Sequence, residues 1–124
     1  MKILLDSKTT ISQLREQVHK FVDDRDWSKY HNPKNLTMSI AIEAAELMEI
    51  FQWSDEKELV DLMTDAKVLE RVELELADVI IYCLSLANVA GLDVAQIIAK
   101  KIKQNEGKYP VKEFKGIYKK QSMS

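Results

Sequence analysis

The chain reads as an all-α protein, and three observations carry that reading. Apolar residues recur at spacings of three and four, no alternating β-branched run occurs, and only three Gly and two Pro interrupt 124 residues. With 46% apolar content it is the size of one domain and holds enough material for a core. A single domain is expected over 1–124, with its core from about 10 to 111 and a Lys-rich tail over 112–124.

The elements follow in order. Thr10 and Gln13 have the spacing of a capping box, and Ile11, Leu14, Val18, Phe21 and Val22 then make one apolar face, so a first helix is expected from Thr10 to about Trp27. The segment SKYHNPKN breaks the pattern, because Pro33 disfavours helix at Asn32 and pre-sets its own φ for a restart. A second helix is expected from Pro33 or Leu36 to Gln52. SDEKELVDLMTD reads as a short helix or loop, with Ser54 and Asp55 as cap candidates. A third long helix runs from about Asp65 to Ala90, where Gly91 supplies the left-handed stop, and Asp93 caps a fourth that reads VAQIIAKKIKQNEG. The result is a bundle-like set of four helices. From Lys108 onward no helical period is visible, and an extended or partly disordered tail is expected.

Composition excludes several functions. A net charge of −2 provides no basic field for gripping a nucleic-acid polymer. Cys83 is the sole cysteine and sits in VIIYCLSLA, so an intramolecular disulfide is impossible and a buried free thiol in a reducing cytoplasm is expected. MKILLDSKTT lacks the apolar core of a signal peptide. The apolar stretch from Val79 to Ala90 contains Ser85 and Asn88 and falls short of the ~20 residues that span a bilayer. The chain therefore reads as soluble and cytoplasmic, without a membrane partner.

Two acidic doublets stand out, Glu43/Glu46 in IEAAELMEIFQW and Glu75/Asp78 in ELELADVIIY, each inside an apolar helical run. A carboxylate there is costly unless something cationic meets it. Residues three apart lie about 60° apart around a helix, so each doublet can converge on one ion. Spacing alone is permissive, since Glu46/Glu49 and Glu70/Glu73 share it. On the third long helix, however, Glu75, Asp78, Tyr82 and Ser85 form one polar stripe through an otherwise apolar surface, which must line a cavity or a polar interface.

Oxygen-only ligands suit Mg²⁺, with Mn²⁺ as a substitute; zinc would recruit His or Cys, and a ferritin-like di-iron site needs Glu-x-x-His pairs that are absent. No P-loop and no nucleophile elbow occur, so metal-activated water is the natural nucleophile. Lys101, Asn105 and Lys108 recur at spacings of four and three, either to meet phosphates or as a solvated basic face. Trp27, Trp53 and Tyr82 are either core residues or a stacking set for a base. His31 either touches a ligand or caps a helix.

These residues also carry a resemblance. EAAELMEIFQW followed by ELADVIIYCLSLA resembles the E-x-x-E … E-x-x-D signature of the MazG-like all-α nucleoside triphosphate pyrophosphohydrolases. RDWSKYHNPKN before it and KKIKQNEGKYPV after it are similar to the corresponding blocks of the dCTP pyrophosphatase branch, so the likeness spans roughly Phe21 to Val111. It implies hydrolysis of a nucleoside triphosphate, dCTP or a related or modified deoxynucleotide, to the monophosphate and pyrophosphate. Glu43, Glu46, Glu75 and Asp78 would hold Mg²⁺; Trp27, His31, Trp53 and Tyr82 would form the base and sugar pocket; Lys101 and Asn105 would approach the phosphates. The resemblance further implies a MazG-type fold completed by homo-oligomerisation, as a dimer or, more in keeping with it, a tetramer built as a dimer of dimers. The rival readings are a sister activity on dUTP or phosphoribosyl-ATP and a non-catalytic helical regulator or scaffold.

Overall fold

The computed structural model describes residues 3–117. It consists of helices α1 (Ile11–Asp24), α2 (Pro33–Glu49), α3 (Glu56–Leu62), α4 (Ala66–Ala90), α5 (Val94–Lys108) and α6 (Val111–Phe114), with single 3₁₀ turns at Asp6–Lys8 and Ser28–Tyr30. Among the described residues there is no β-strand. The chain divides into two compact units, Met1–Leu92 and Asp93–Ser124.

The caps explain where the helices begin. Thr10 and Gln13 form the expected reciprocal box: Gln13 N–H donates to Thr10 Oγ1 at 3.1 Å and Thr10 N–H donates to Gln13 Oε1 at 2.8 Å. Asn32, not His31, caps α2 by accepting from Asn35 N–H at 2.8 Å, with Pro33 at the first helical position. Asp55, rather than Ser54, caps α3. Asp65 accepts from Lys67 and Val68 N–H at 2.9 and 3.2 Å to start α4, and Asp93 accepts from Gln96 N–H at 2.8 Å to start α5. Gly91 closes α4 at φ 66°, the left-handed conformation glycine adopts without a Cβ penalty.

Three expectations are corrected. The first helix stops at Asp24, not near Trp27, because Asp26 turns left-handed at φ 54° and Trp27 N–H bonds back to Val22 O at 3.0 Å. The second stops at Glu49 rather than Gln52, in a series of turns through Trp53. The segment after Lys108 holds a short helix, α6, started by Pro110; the rest of the expected tail, 118–124, lies outside the described residues.

In the first unit α4 is the central element, and α2 and α1 pack on it. The most buried apolar side chains come from the end of α1 (Val22), the start of α2 (Leu36, 1% exposed) and the last turns of α4 (Leu84, Ala87). Asn88 locks α1 to α4, since Arg15 Nε donates to its Oδ1 at 2.9 Å and its Nδ2 donates to Arg15 O at 3.2 Å. One side of α4 is not buried within the chain: Leu74, Leu76, Ile80 and Val89 are exposed. Cys83 shares that outward side and is exposed, which corrects the expectation of a buried thiol. Among the described residues no single helix is long and apolar enough to cross a membrane.

Candidate functional site

The packing of α2 on α4 brings the two acidic doublets together. One carboxylate oxygen each from Glu43, Glu75 and Asp78 lie within 4.8 Å of one another. Glu46, exposed one turn along α2, joins them electrostatically, acting on both Glu43 and Glu75. Among the described residues the ion pairs are Lys20–Asp24 and Lys29–Asp26, so no Lys or Arg neutralises the four acids.

That crowding shows in the electrostatics. Burial first, then the adjoining Glu46 carboxyl, and then repulsion from Asp78 push Glu43 from 4.5 up to about 7. Burial and Glu46 raise Glu75 in the same direction. Glu43 Oε2 and Glu75 Oε2 are both buried without a hydrogen-bond partner, which is a costly state for an oxygen acceptor. Two orphaned carboxylate oxygens within a cluster of oxygen donors fit a hard divalent cation such as Mg²⁺ or Mn²⁺ and suit zinc poorly.

Beside the cluster is a pocket of about 440 Å³, lined by Gln17, Phe21 and Val22 of α1, Trp27 and His31 of the connector, and Asp78, Ile81, Tyr82 and Ser85 of α4. The left-handed Asp26 makes this possible by turning the chain sharply after α1, so that Trp27 returns edge-on against Phe21, with ring centroids 5.8 Å apart. The Arg25 guanidinium covers the Phe21 ring at 3.8 Å, a contact that stabilises the corner. The polar stripe of α4 is thereby divided by chemistry: Glu75 and Asp78 face the acidic cluster, while Asp78, Tyr82 and Ser85 face the pocket.

Of the base-pocket residues expected from sequence, Trp27, His31 and Tyr82 line this one cavity. Trp53 stands outside its lining and is 86% exposed, on the turn after α2. Lys101 and Asn105 lie on α5 in the second unit, where Lys101 Nζ donates to Gln104 Oε1 at 3.3 Å and the Asn105 carbonyl accepts from Tyr109 N–H at 2.7 Å. Gln17 and Phe21 line the pocket without having been singled out for it. Phe21 carried only the signal of an apolar helix face, and nothing in the sequence marked Asp26 as the bend that aims Trp27.

Carboxylates from two packed helices that could hold a cation, beside a pocket lined by aromatic side chains, define the candidate site of this all-α chain. The MazG-like family profile matches residues 38–122, and the chain belongs to the MazG-like family. The dCTP pyrophosphatase 1 of Mus musculus is 33% identical over 102 residues, covering 82% of this chain and 60% of that protein. The Homo sapiens protein of the same name is 31% identical over 101 residues, covering 82% and 59%. The chain thus spans about three fifths of the length of these curated relatives. The crystal structure of a pyrophosphatase from Archaeoglobus fulgidus is similar with a TM-score of 0.76 at 42% identity, over 88% of this chain and 99% of that one.

Proposed function

We propose that the chain is a Mg²⁺-dependent nucleoside triphosphate pyrophosphohydrolase that releases pyrophosphate and the monophosphate, with dCTP or a related or modified deoxynucleotide as substrate. The observation that carries this is the double position of Asp78, whose carboxylate belongs to the acidic cluster and whose side chain also lines the pocket of Trp27, His31 and Tyr82. An ion site and a stacking site that share a residue suit a ligand with a polyanion at one end and a flat ring at the other. The relatives' names, dCTP pyrophosphatase 1 and pyrophosphatase, support the same reaction.

Glu43, Glu46, Glu75 and Asp78 would hold Mg²⁺, for which Mn²⁺ can substitute. When bound, the ion would supply Lewis-acid polarisation of the phosphoryl group and lower the pKa of a water so that, once deprotonated, it can attack phosphorus. The chain's own residues then do the positioning. Trp27 and Tyr82 offer ring faces to the base, and His31 offers hydrogen bonding. Val22 and Ile81 keep the pocket wall apolar. Fixing the base at one end and the phosphates at the other places the scissile bond, which is the entropic part of catalysis.

The exposed apolar surface supports a homo-oligomer. Met48, Trp53, Leu74 and Ile80 are 58%, 86%, 62% and 47% exposed in the single chain, and such a surface calls for a partner. A tetramer built as a dimer of dimers is the assembly we propose.

The test is pyrophosphate release from a panel of triphosphates in Mg²⁺, in Mn²⁺ and with chelator. Metal-dependent release with dCTP or a modified relative in front is expected. Preference for dUTP or phosphoribosyl-ATP would change the substrate, and no release from any triphosphate would replace the enzyme with a non-catalytic helical oligomer.

A further inference from the structure

Ser85 is not accounted for by the metal cluster or by the stacking residues. It is 4% exposed, and its Oγ has no hydrogen-bond partner, not even the main-chain carbonyl one turn back that helical serines commonly use. A hydroxyl buried in that state destabilises the fold that contains it. His31 Nδ1 is in the same condition, buried and unpartnered. Both residues line the 440 Å³ pocket, and both also line a smaller cavity of about 190 Å³ that adjoins it and reaches Asn88.

The arrangement along α4 indicates what these two atoms await. Asp78, Tyr82 and Ser85 face the pocket in steps of four and three, so Ser85 lies about 10 Å along the helix axis from the shared metal-cluster residue. With the phosphates held at the Asp78 end and a ring against Tyr82, the part of the ligand that reaches Ser85 is the edge of the base. Val18, Val22 and Ile81 are apolar neighbours in that lining, and although Gln17 also lines the pocket, Ser85 Oγ and His31 Nδ1 are the lining's buried side-chain atoms without a hydrogen-bond partner. We infer that Ser85 Oγ and His31 Nδ1 hydrogen-bond heteroatoms on the nucleobase edge, which makes Ser85 a specificity-determining residue. This rests on the nucleotide reading of the site given above. A hydroxyl that can donate or accept accepts a base with an amino or oxo group at that position and penalises one that presents carbon there.

The inference predicts a trade of stability against recognition. Removing an unsatisfied buried hydroxyl stabilises the ligand-free protein, whereas removing a hydroxyl that reads the base weakens only ligands that carry one. The experiment is calorimetric titration of wild type, Ser85→Ala and Ser85→Cys with the four deoxynucleoside 5′-monophosphates and with 2-deoxyribose 5-phosphate, alongside melting of the ligand-free proteins. The wild type should bind at least one nucleotide more tightly than the sugar phosphate. Ser85→Ala should bind that nucleotide about tenfold more weakly, bind the sugar phosphate unchanged, and melt at a higher temperature without ligand; Ser85→Cys should fall between the two. Unchanged nucleotide affinity in Ser85→Ala would overturn the inference. So would an equal loss for nucleotide and sugar phosphate, a lower melting temperature from a hydroxyl satisfied by water, or a wild type that binds no nucleotide better than the sugar phosphate. Binding is read without turnover, so a protein that binds as expected but releases no pyrophosphate removes the hydrolase reading and leaves the role of Ser85 standing.

Discussion

The His31 imidazole leans on the Tyr82 ring, with centroids 6.4 Å apart and planes inclined by 45°, so a residue of the connector is braced by a residue of α4 at the pocket wall. The contact joins two segments that are 51 residues apart, from the difference of their numbers. It makes Tyr82 a support for His31 at the wall of the pocket that both line.

Tyr82→Ala is therefore expected to raise KM for the best triphosphate about tenfold, the size of a lost stacking contact, while Mg²⁺ affinity stays unchanged. Steady-state kinetics and metal titration check this. A fall in kcat at unchanged KM would contradict it.

Glu43→Gln removes a charge from the crowded cluster at nearly constant volume. Loss of an outer partner of a metal ligand costs about 10–100-fold, so loss of a ligand charge should lower pyrophosphate release by about 100-fold or more. The metal-free variant should melt no lower than wild type, because repulsion from Glu46 and Asp78 is relieved. Full activity in a folded Glu43→Gln protein would remove these acids from the metal site.

Stability of the metal-free protein should fall as pH rises. Burial and then Glu46 raise Glu43 in the fold from 4.5 to about 7, so between those values the folded state holds a proton that the unfolded chain has released. The stabilisation is fully present below the unfolded value and is lost as pH passes through the folded one; Glu75, raised in the same direction, adds to it. Melting temperature should drop between about pH 5 and pH 8 more steeply for wild type than for Glu43→Gln. Mg²⁺ binding should strengthen over the same interval, because it displaces those protons. Parallel pH profiles for the two proteins would refute this assignment.

Gly91→Ala isolates a backbone effect. A Cβ there meets nothing within 4 Å, so the whole cost comes from φ 66° and should be about 1–2 kcal/mol. Denaturant unfolding measures it. An unchanged midpoint would mean that the α4 terminus relaxes out of the left-handed turn.

For assembly, Ile80→Asp places a charge on the exposed apolar side of α4, where Leu76 and Cys83 lie one turn to either side. Light scattering should give a tetramer for wild type and a smaller species for the variant. A fully active wild type at monomer mass would show that one chain completes both core and site.

The sequence by itself determined where the main helices start and that two acidic doublets each share a helix face. Caps at Thr10, Asn32, Asp65 and Asp93 and the stop at Gly91 act within one or two turns, so their chemistry is readable from neighbours in the chain. The i,i+3 acids were equally legible, because helical geometry alone places each pair on one face. Tertiary structure alone decided the rest. Only the packing of α2 on α4 could bring Glu43 within reach of Glu75 and Asp78 and so orphan two carboxylate oxygens. Only the left-handed Asp26 could return Trp27 to Phe21, while Trp53, of the same residue type, stays exposed. Burial of Ser85 without a partner, and exposure of Cys83 two positions before it, depend on which side of α4 the other helices cover. A helix that is apolar nearly all round does not specify that side, because its pattern has no single preferred direction until a neighbour packs against it.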